Sequence, residues 1–338
     1  MNLWRIPLSE WETGHGEPEL VKKLDYGGFS YDNSVTVTGD FGDITASDDG
    51  TADHVIWHKQ PNGGVLLWGV GGGGDTTPQL WQDLRTGGWS YANSRPLAAD
   101  VTGDGWDDLV VVHRNGSYDN IWVFPSDGHR LGAPQFWQYM FEESGSHLTM
   151  GDLDGDGVSE LITSRGADFM GTTMSYSAYR LANRGGAYYY GNAVFQPVGG
   201  GGWSINGSRQ LAGDVTGDGR ADLVTVHAQP NGGILVWVHE SCSTGSSLCL
   251  ADPEIWQDLR TGGWSFAGSR QQLADSDGDG TEDLISIHSQ SWNPGILVWR
   301  HLSVGGEFTD PGIIADLRTG GWTYSASREG VAHTYGTM

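Results

Sequence analysis

Four stretches of the chain share an acidic, glycine-punctuated spacing that suits a hard divalent cation. Ala98 to His113 reads AADVTGDGWDDLVVVH. Asp100, Thr102, Asp104 and Asp108 offer side-chain oxygens, Trp106 offers a backbone carbonyl, and calcium takes six to eight such oxygens. The skeleton returns as Asp152, Asp154, Asp156, Val158 and Glu160; as Asp214, Thr216, Asp218, Arg220 and Asp222; and as Asp275, Asp277, Asp279, Thr281 and Asp283. A fifth copy, Gly39-Asp40 through Asp53, is stretched by an insertion. A single loop of this kind is a weak signal, and solvated Asp/Gly turns are its plain alternative. Four loops of identical spacing point to about four structural Ca2+ sites.

These loops are not EF-hands. That motif places a glutamate at the twelfth position and a helix beyond it. Here the twelfth positions are Val111, Thr163, Thr225 and Ser286, each inside a strand-like run. The loops therefore join strand to strand.

The elements that must position them repeat as well. Gly-Gly-Trp/Phe recurs at 27–29, 87–89, 201–203, 262–264 and 320–322, a period near sixty residues. That length suits a four-stranded propeller blade. In one unit the strands run from Arg95 to Val101, Leu109 to His113, Ile121 to Phe124 and Gln135 to Tyr139, with β-branched and aromatic runs between Gly, Asn and Asp turns. The sequence predicts an all-β chain: a single β-propeller domain over 1–338 with six blades. Five fall at about 35–83, 97–139, 148–196, 210–258 and 271–316. The sixth is split, built from 320–338 plus 1–25, so that terminal strands share one blade and close the ring.

Composition narrows the partners. Forty-two acidic against eighteen basic residues give a net charge of −24, which argues against nucleic acid because phosphate binding needs clustered Lys and Arg. Fourteen of the carboxylates are candidate ligands in the four loops, so much of this charge belongs with the ions. Sixteen tryptophans require burial or a ligand. No apolar run approaches membrane-spanning length. Cys242 and Cys249 suit a local disulfide in an oxidising compartment, with two free thiols as the alternative. No basic-then-apolar leader opens the chain, and the expectation is the mature form of a secreted protein.

Strand alternation places a second set of residues opposite the acidic loops. His58, His113, His227 and His288 end second strands. Trp89, Trp203, Trp264 and Trp322 lie in the Gly-Gly-Trp linkers, and Arg95, Arg209, Arg270 and Arg328 follow six residues later. Asp258 and Arg260, with counterparts Asp83/Arg85 and Asp316/Arg318, precede three of the linkers. Indole, guanidinium, carboxylate and imidazole together suit a sugar, whose C–H face stacks on Trp while its hydroxyls hydrogen-bond. The competing reading is packing: Trp wedged between blades, Arg paired with Asp, His capping a strand. The strand-three tryptophans Trp4, Trp68, Trp122, Trp237 and Trp299 read as core.

The DVTGDGxxDLV repeats resemble the FG-GAP/VCBS class of integrin-like β-propellers. The unit 87–112 is most similar to repeats of the Psathyrella velutina lectin type, a propeller with calcium in such loops and glycan sites between blades. That resemblance implies recognition of N-acetylglucosamine or sialylated glycans. The chain departs from the type by having six repeats where the lectin has seven. Ser94, Ser208, Ser269 and Ser327 also stand where its linker carries histidine. The sugar preference does not carry over.

Other motifs fail their context. Gly69-Val-Gly-Gly-Gly-Gly74 has dinucleotide spacing but no following helix. Asn115-Gly-Ser117 and Asn206-Gly-Ser208 are glycosylation sequons. An active site remains conceivable near Tyr188-Tyr-Tyr190, in the blade where Ser164 replaces the histidine, but catalytic sites are single and these candidates repeat. Repetition favours multivalent binding of glycans or glycoconjugates. The second reading is a protein-interaction or adhesion module, and the third a polysaccharide-cleaving enzyme.

Overall fold

Leu109-Val-Val-Val112 is buried on both faces, which accounts for its unbroken apolar run. Leu109 and Val111 pack towards the preceding sheet, and Val110 and Val112 towards the next. Every sheet is thus sandwiched between two others. The structure, a computed structural model, describes residues 1–6, 18–24, 28–42, 52–72, 77–141, 145–166, 174–183, 185, 187–188, 196–198, 203–245, 247–290 and 295–327.

The chain is an all-β propeller. Its first blade pairs Ser34–Gly39, Asp53–Lys59, Val65–Val70 and Gln79–Leu84. The second pairs Ser94–Ala99, Asp108–Asn115, Tyr118–Phe124 and Gln135–Phe141. The third contains His147–Gly151, Glu160–Gly166, Met174–Arg180 and Gln196–Val198. The fourth has Ser208–Gly213, Asp222–Ala228, Ile234–His239 and Glu254–Leu259, and the fifth Ser269–Ala274, Asp283–Ser289, Ile296–His301 and Gly312–Leu317. The three pairings within each four-stranded blade are antiparallel and follow chain order. Ala187–Tyr188 crosses back as a parallel fifth strand of the second sheet. Among the described residues, helix is confined to three-residue 3-10 turns such as Tyr91–Asn93.

The sixth position holds a two-stranded ribbon, Asn2–Arg5 with Glu19–Lys23. A shared irregularity identifies its strands as the third and fourth of a blade. In four blades the fourth strand carries one extra residue opposite the third: Trp81, Trp137, Trp256 and Ile314. Val21 is the extra residue of the ribbon. Each bulge turns an apolar side chain into the following junction. Residues 328–338, expected as the inner strand of this blade, lie outside the described residues.

Six apolar clusters then account for six junctions. The last two involve the ribbon: Ile6 packs with the fifth blade, and Leu3 and Leu24 pack with Phe29 and Ile56 of the first.

Candidate functional site

The acidic loops all lie on one face, between first and second strands. In the second blade, Asp100 Oδ1 accepts the amides of Thr102 and Gly103 at 3.1 and 2.7 Å, and Oδ2 accepts that of Gly105 at 2.8 Å. Gly103 and Gly105 adopt φ of 75° and 91°, a region other residues avoid, so the wrap depends on them. Asp152, Asp214 and Asp275 hold their loops in the same way. Further round each loop, Asp104, Asp156, Asp218 and Asp279 accept the amides of Trp106, Val158, Arg220 and Thr281. Carboxylate oxygens of Asp152, Asp154 and Asp156 lie within 4.8 Å of one another, as do those of Asp275, Asp277 and Asp279. In the second and fourth blades Thr102 and Thr216 take the middle position, and both are exposed. Three oxygen donors on a tight turn fit a hard cation.

The fourth carboxylate of each set sits deeper. Asp108, Asp222 and Asp283 are buried and accept amides from their own loop, at Val101, Val215 and Ser276. Their second oxygens accept the amides of Ser126, Ser241 and Ser303, at 2.8, 2.8 and 2.9 Å, in the loop between third and fourth strands. Those serine hydroxyls donate across the junction to the carbonyls of Phe41, Leu153 and Val215. Glu160 does the same local work, accepting from Leu153 N at 2.9 Å. Burial pushes Asp108 and Asp222 up to about 6. Backbone bonds also run from Ser159 to Asp100, Ala221 to Asp152 and Glu282 to Asp214, so neighbouring acidic loops form a continuous belt.

The opposite face carries the linkers and the hairpins between second and third strands. Tyr91 N bonds Gly63 O at 3.0 Å, and Phe266 N bonds Gly232 O at 3.1 Å, joining the two kinds of loop. Asn62 and Asn231 donate to the carbonyls of Arg85 and Arg260, both at 2.9 Å. Three linker tryptophans lie against the strand-two histidine of their blade: Trp89 with His113, Trp203 with His227 and Trp264 with His288, at 5.4, 5.1 and 5.1 Å between ring centroids. Phe29 and His58 repeat this in the first blade at 4.7 Å. The same linker rings meet the strand-three tryptophans, as in Trp89/Trp122, Trp203/Trp237, Trp264/Trp299 and Trp322/Trp4.

Indole and imidazole therefore come together as expected. Trp203 is buried and its three equivalents are half-buried. The strand-three tryptophans are not full core: Trp68, Trp122, Trp237 and Trp299 are half-buried, and Trp4 is 40 % exposed. Serine caps the imidazole in the early blades, Ser34 on His58 and Ser94 on His113, whereas Gln229 and Gln290 take Nδ1 of His227 and His288. Burial lowers the pKa of His113 and His288, which favours neutral rings.

The arginines group differently from the sequence expectation. Arg209 stacks on Phe266 of the next linker, 3.9 Å from its ring centroid, and donates to Phe266 O at 2.7 Å and Gln271 Oε1 at 3.1 Å. Arg270 stacks on Tyr324 at 3.9 Å. Arg95 instead pairs with buried Asp119 at 3.0 Å. Arg209 and Arg270 thus serve the junction ahead of them, beside the following blade's linker. Asp258 and Arg260 close on one another at the surface, and the arginine lowers the aspartate's pKa. Phe266, Tyr324 and Gln271 are the side chains sequence reasoning missed. An aromatic two residues after the linker ring, at Tyr31, Tyr91, Phe266 and Tyr324, was the available signal. Arg328, Tyr189 and Tyr190 lie outside the described residues.

Fold and loops define a β-propeller that carries an FG-GAP-like repeat, the family matched by residues 100–163. Among solved structures the chain is similar to a lectin from Agrocybe aegerita, described as specifically recognising non-reducing terminal N-acetylglucosamine. The identity is 20 %, the match covers 92 % of this chain and 74 % of that one, and the TM-score is 0.55. It is also similar to the lectin of Aleuria aurantia, described as a six-bladed β-propeller with a novel fucose recognition mode. There the identity is 11 %, the coverage 91 % and 87 %, and the TM-score 0.49. No curated protein matches the chain. At these identities the likeness is one of fold. No helix among the described residues is long and apolar enough to cross a membrane.

Proposed function

We propose that the protein is a calcium-stabilised, multivalent carbohydrate-binding propeller of the secreted type. The observation that carries this reading is the recurrence of a linker ring against a strand-two histidine on one face of four blades, joined at the fourth–fifth junction by the preceding blade's arginine. At the junction of the fourth and fifth blades, Arg209 lies on Phe266, next to Gln271, and Trp264 and His288 follow two residues before it and on the adjacent strand. Half-buried aromatic faces beside directional donors suit a pyranose ring. Several weak sites on one disc combine into avidity for glycans that display repeated termini. The lectins among the similar structures support the same reading.

Calcium enters as the stabilising ion of the acidic belt, held by Asp100, Thr102 and Asp104 and their equivalents. Bound there it neutralises crowded carboxylates and fixes the loops that tie one blade to the next.

The test is a glycan array of the purified protein in calcium, with Trp264→Ala and Arg209→Met alongside. Selective binding that weakens in a folded variant supports the proposal. No binding by a folded, calcium-loaded protein refutes it. A protein-interaction module is the second reading, favoured by Leu80 and Ile255, which stand at equivalent places on outer strands and are 48 % and 49 % exposed.

A further inference from the structure

The acidic loop of the third blade, the third acidic loop in blade order, differs from its sisters in having one guanidinium that bridges an outer and a deep carboxylate. By carboxylate spacing alone, Asp152/Asp154/Asp156 match Asp275/Asp277/Asp279. Yet the third loop already holds a positive charge. Arg180 Nη2 pairs with Asp154 Oδ2, and its Nε lies 3.3 Å from Glu160 Oε1. The carboxylates concerned are almost fully covered, with side chains 3 % and 2 % exposed. Nη2 also donates to Gly245 O at 3.0 Å, in the disulfide-closed hairpin of the fourth blade.

Register makes this arginine specific to one blade. Arg180 stands directly opposite Glu160. The equivalent places, one residue beyond the pairs Leu109/Phe124, Leu223/His239 and Leu284/His301, hold Pro125, Glu240 and Leu302. None is basic. The fourth blade has Arg220 on Asp218, but both side chains are about a third exposed, and such pairs are weak and free to part. The third loop departs once more in having Glu160 where the others have aspartate, a longer arm that reaches the guanidinium.

We propose that Arg180 is the resident cation of the third acidic loop, so that this loop takes no divalent ion while the other loops do. This rests on the calcium reading above and narrows it. A guanidinium between two buried carboxylates supplies the charge that a metal supplies elsewhere, and its bond to Gly245 carries the link to the next blade. Removing it would leave two buried carboxylates uncompensated, a strongly destabilising state that a calcium ion can relieve.

The experiment counts calcium by native mass spectrometry and records melting in chelator and in calcium, for wild type, Asp156→Asn and Arg180→Met. The wild type should bind one ion fewer than its four loops of identical spacing, and Asp156→Asn should leave that count unchanged. Arg180→Met should melt roughly 5 °C or more below wild type in chelator, and should gain one ion and recover in calcium. An ion lost from the count in Asp156→Asn overturns the proposal, because the third loop then held metal. Arg180→Met melting like wild type in chelator also overturns it. Should no loop bind calcium, the calcium reading fails, and the chelator melt of Arg180→Met still decides the role of the arginine.

Discussion

The indoles of Trp4 and Trp322 meet edge to face, with ring centroids 5.0 Å apart and planes inclined at 66°. They repeat the contact that Trp264 makes with Trp299 inside the fifth blade at 5.4 Å. Trp4 is therefore the strand-three tryptophan of the blade whose linker begins with Gly320-Gly321-Trp322. The two ends of the described chain are joined by an ordinary internal contact of the repeat.

Trp4→Ala should lower stability by ~1–2 kcal/mol, since it removes an aromatic pair and partial burial. Urea unfolding measures this, with Tyr118→Ala, 43 % exposed on a different blade, as comparison. Equal effects in the two variants would mean that the terminal contact does not close the ring.

Asp222 and Asp218 separate two roles within one loop. Asp222→Ala strips acceptors from the amides of Val215, Thr216 and Ser241 and should cost about 3 kcal/mol or more. Its loss should persist in chelator. Asp218→Ala should instead abolish the gain that calcium gives, which at a hundredfold excess over Kd is about 2.7 kcal/mol per site. Neither change should touch glycan binding by a folded protein, because the linkers occupy the opposite face. Thermal melts with and without chelator distinguish the two.

Buried histidines set an acid limit. Burial lowers His239 and His301 to about 4, against about 6.5 in an unfolded chain. Between those values the unfolded state binds more protons. Stability present above pH 6.5 is therefore lost as pH falls towards 4, by up to about 1.4 kcal/mol per pH unit for each histidine. The melting temperature of His301→Gln should fall less steeply than wild type from pH 6.5 to 4.5. Parallel slopes would show that His301 does not resist protonation.

The disulfide between Cys242 and Cys249 closes a hairpin whose Leu248 and Leu250 pack with Leu153 and Tyr176 of the third blade. A loop this short constrains the unfolded chain by about 2–3 kcal/mol. Cys242→Ser with Cys249→Ser should show that loss in denaturant. Faster hydrogen exchange should be confined to the junction of the third and fourth blades.

The acidic loops and the strand order were legible because the repeat prints them several times at constant spacing. The repeat forms five sheets of four or more strands, and Cys242 and Cys249 are joined in a disulfide where their spacing had left free thiols as the alternative. What spacing could not show was partnership across a junction. It put Arg209 in a linker with Trp203, whereas the side chain serves Phe266 in the next repeat. It also grouped Asp108 with the outer carboxylates, since nothing local reveals that buried amides at Val101 and Ser126 compete for its oxygens. Arg180 was hidden for the same reason: it comes from the third strand, 26 residues from Asp154.

The sandwiching of every sheet between two neighbours has a consequence for how the molecule comes apart. A solenoid can fray from its ends, because its last unit has one neighbour to lose. Here the first and fifth blades each press on the ribbon, so no unit has a free side. Opening any one junction strips cover from two sheets at once, and the ring should yield in a single concerted transition instead of blade by blade.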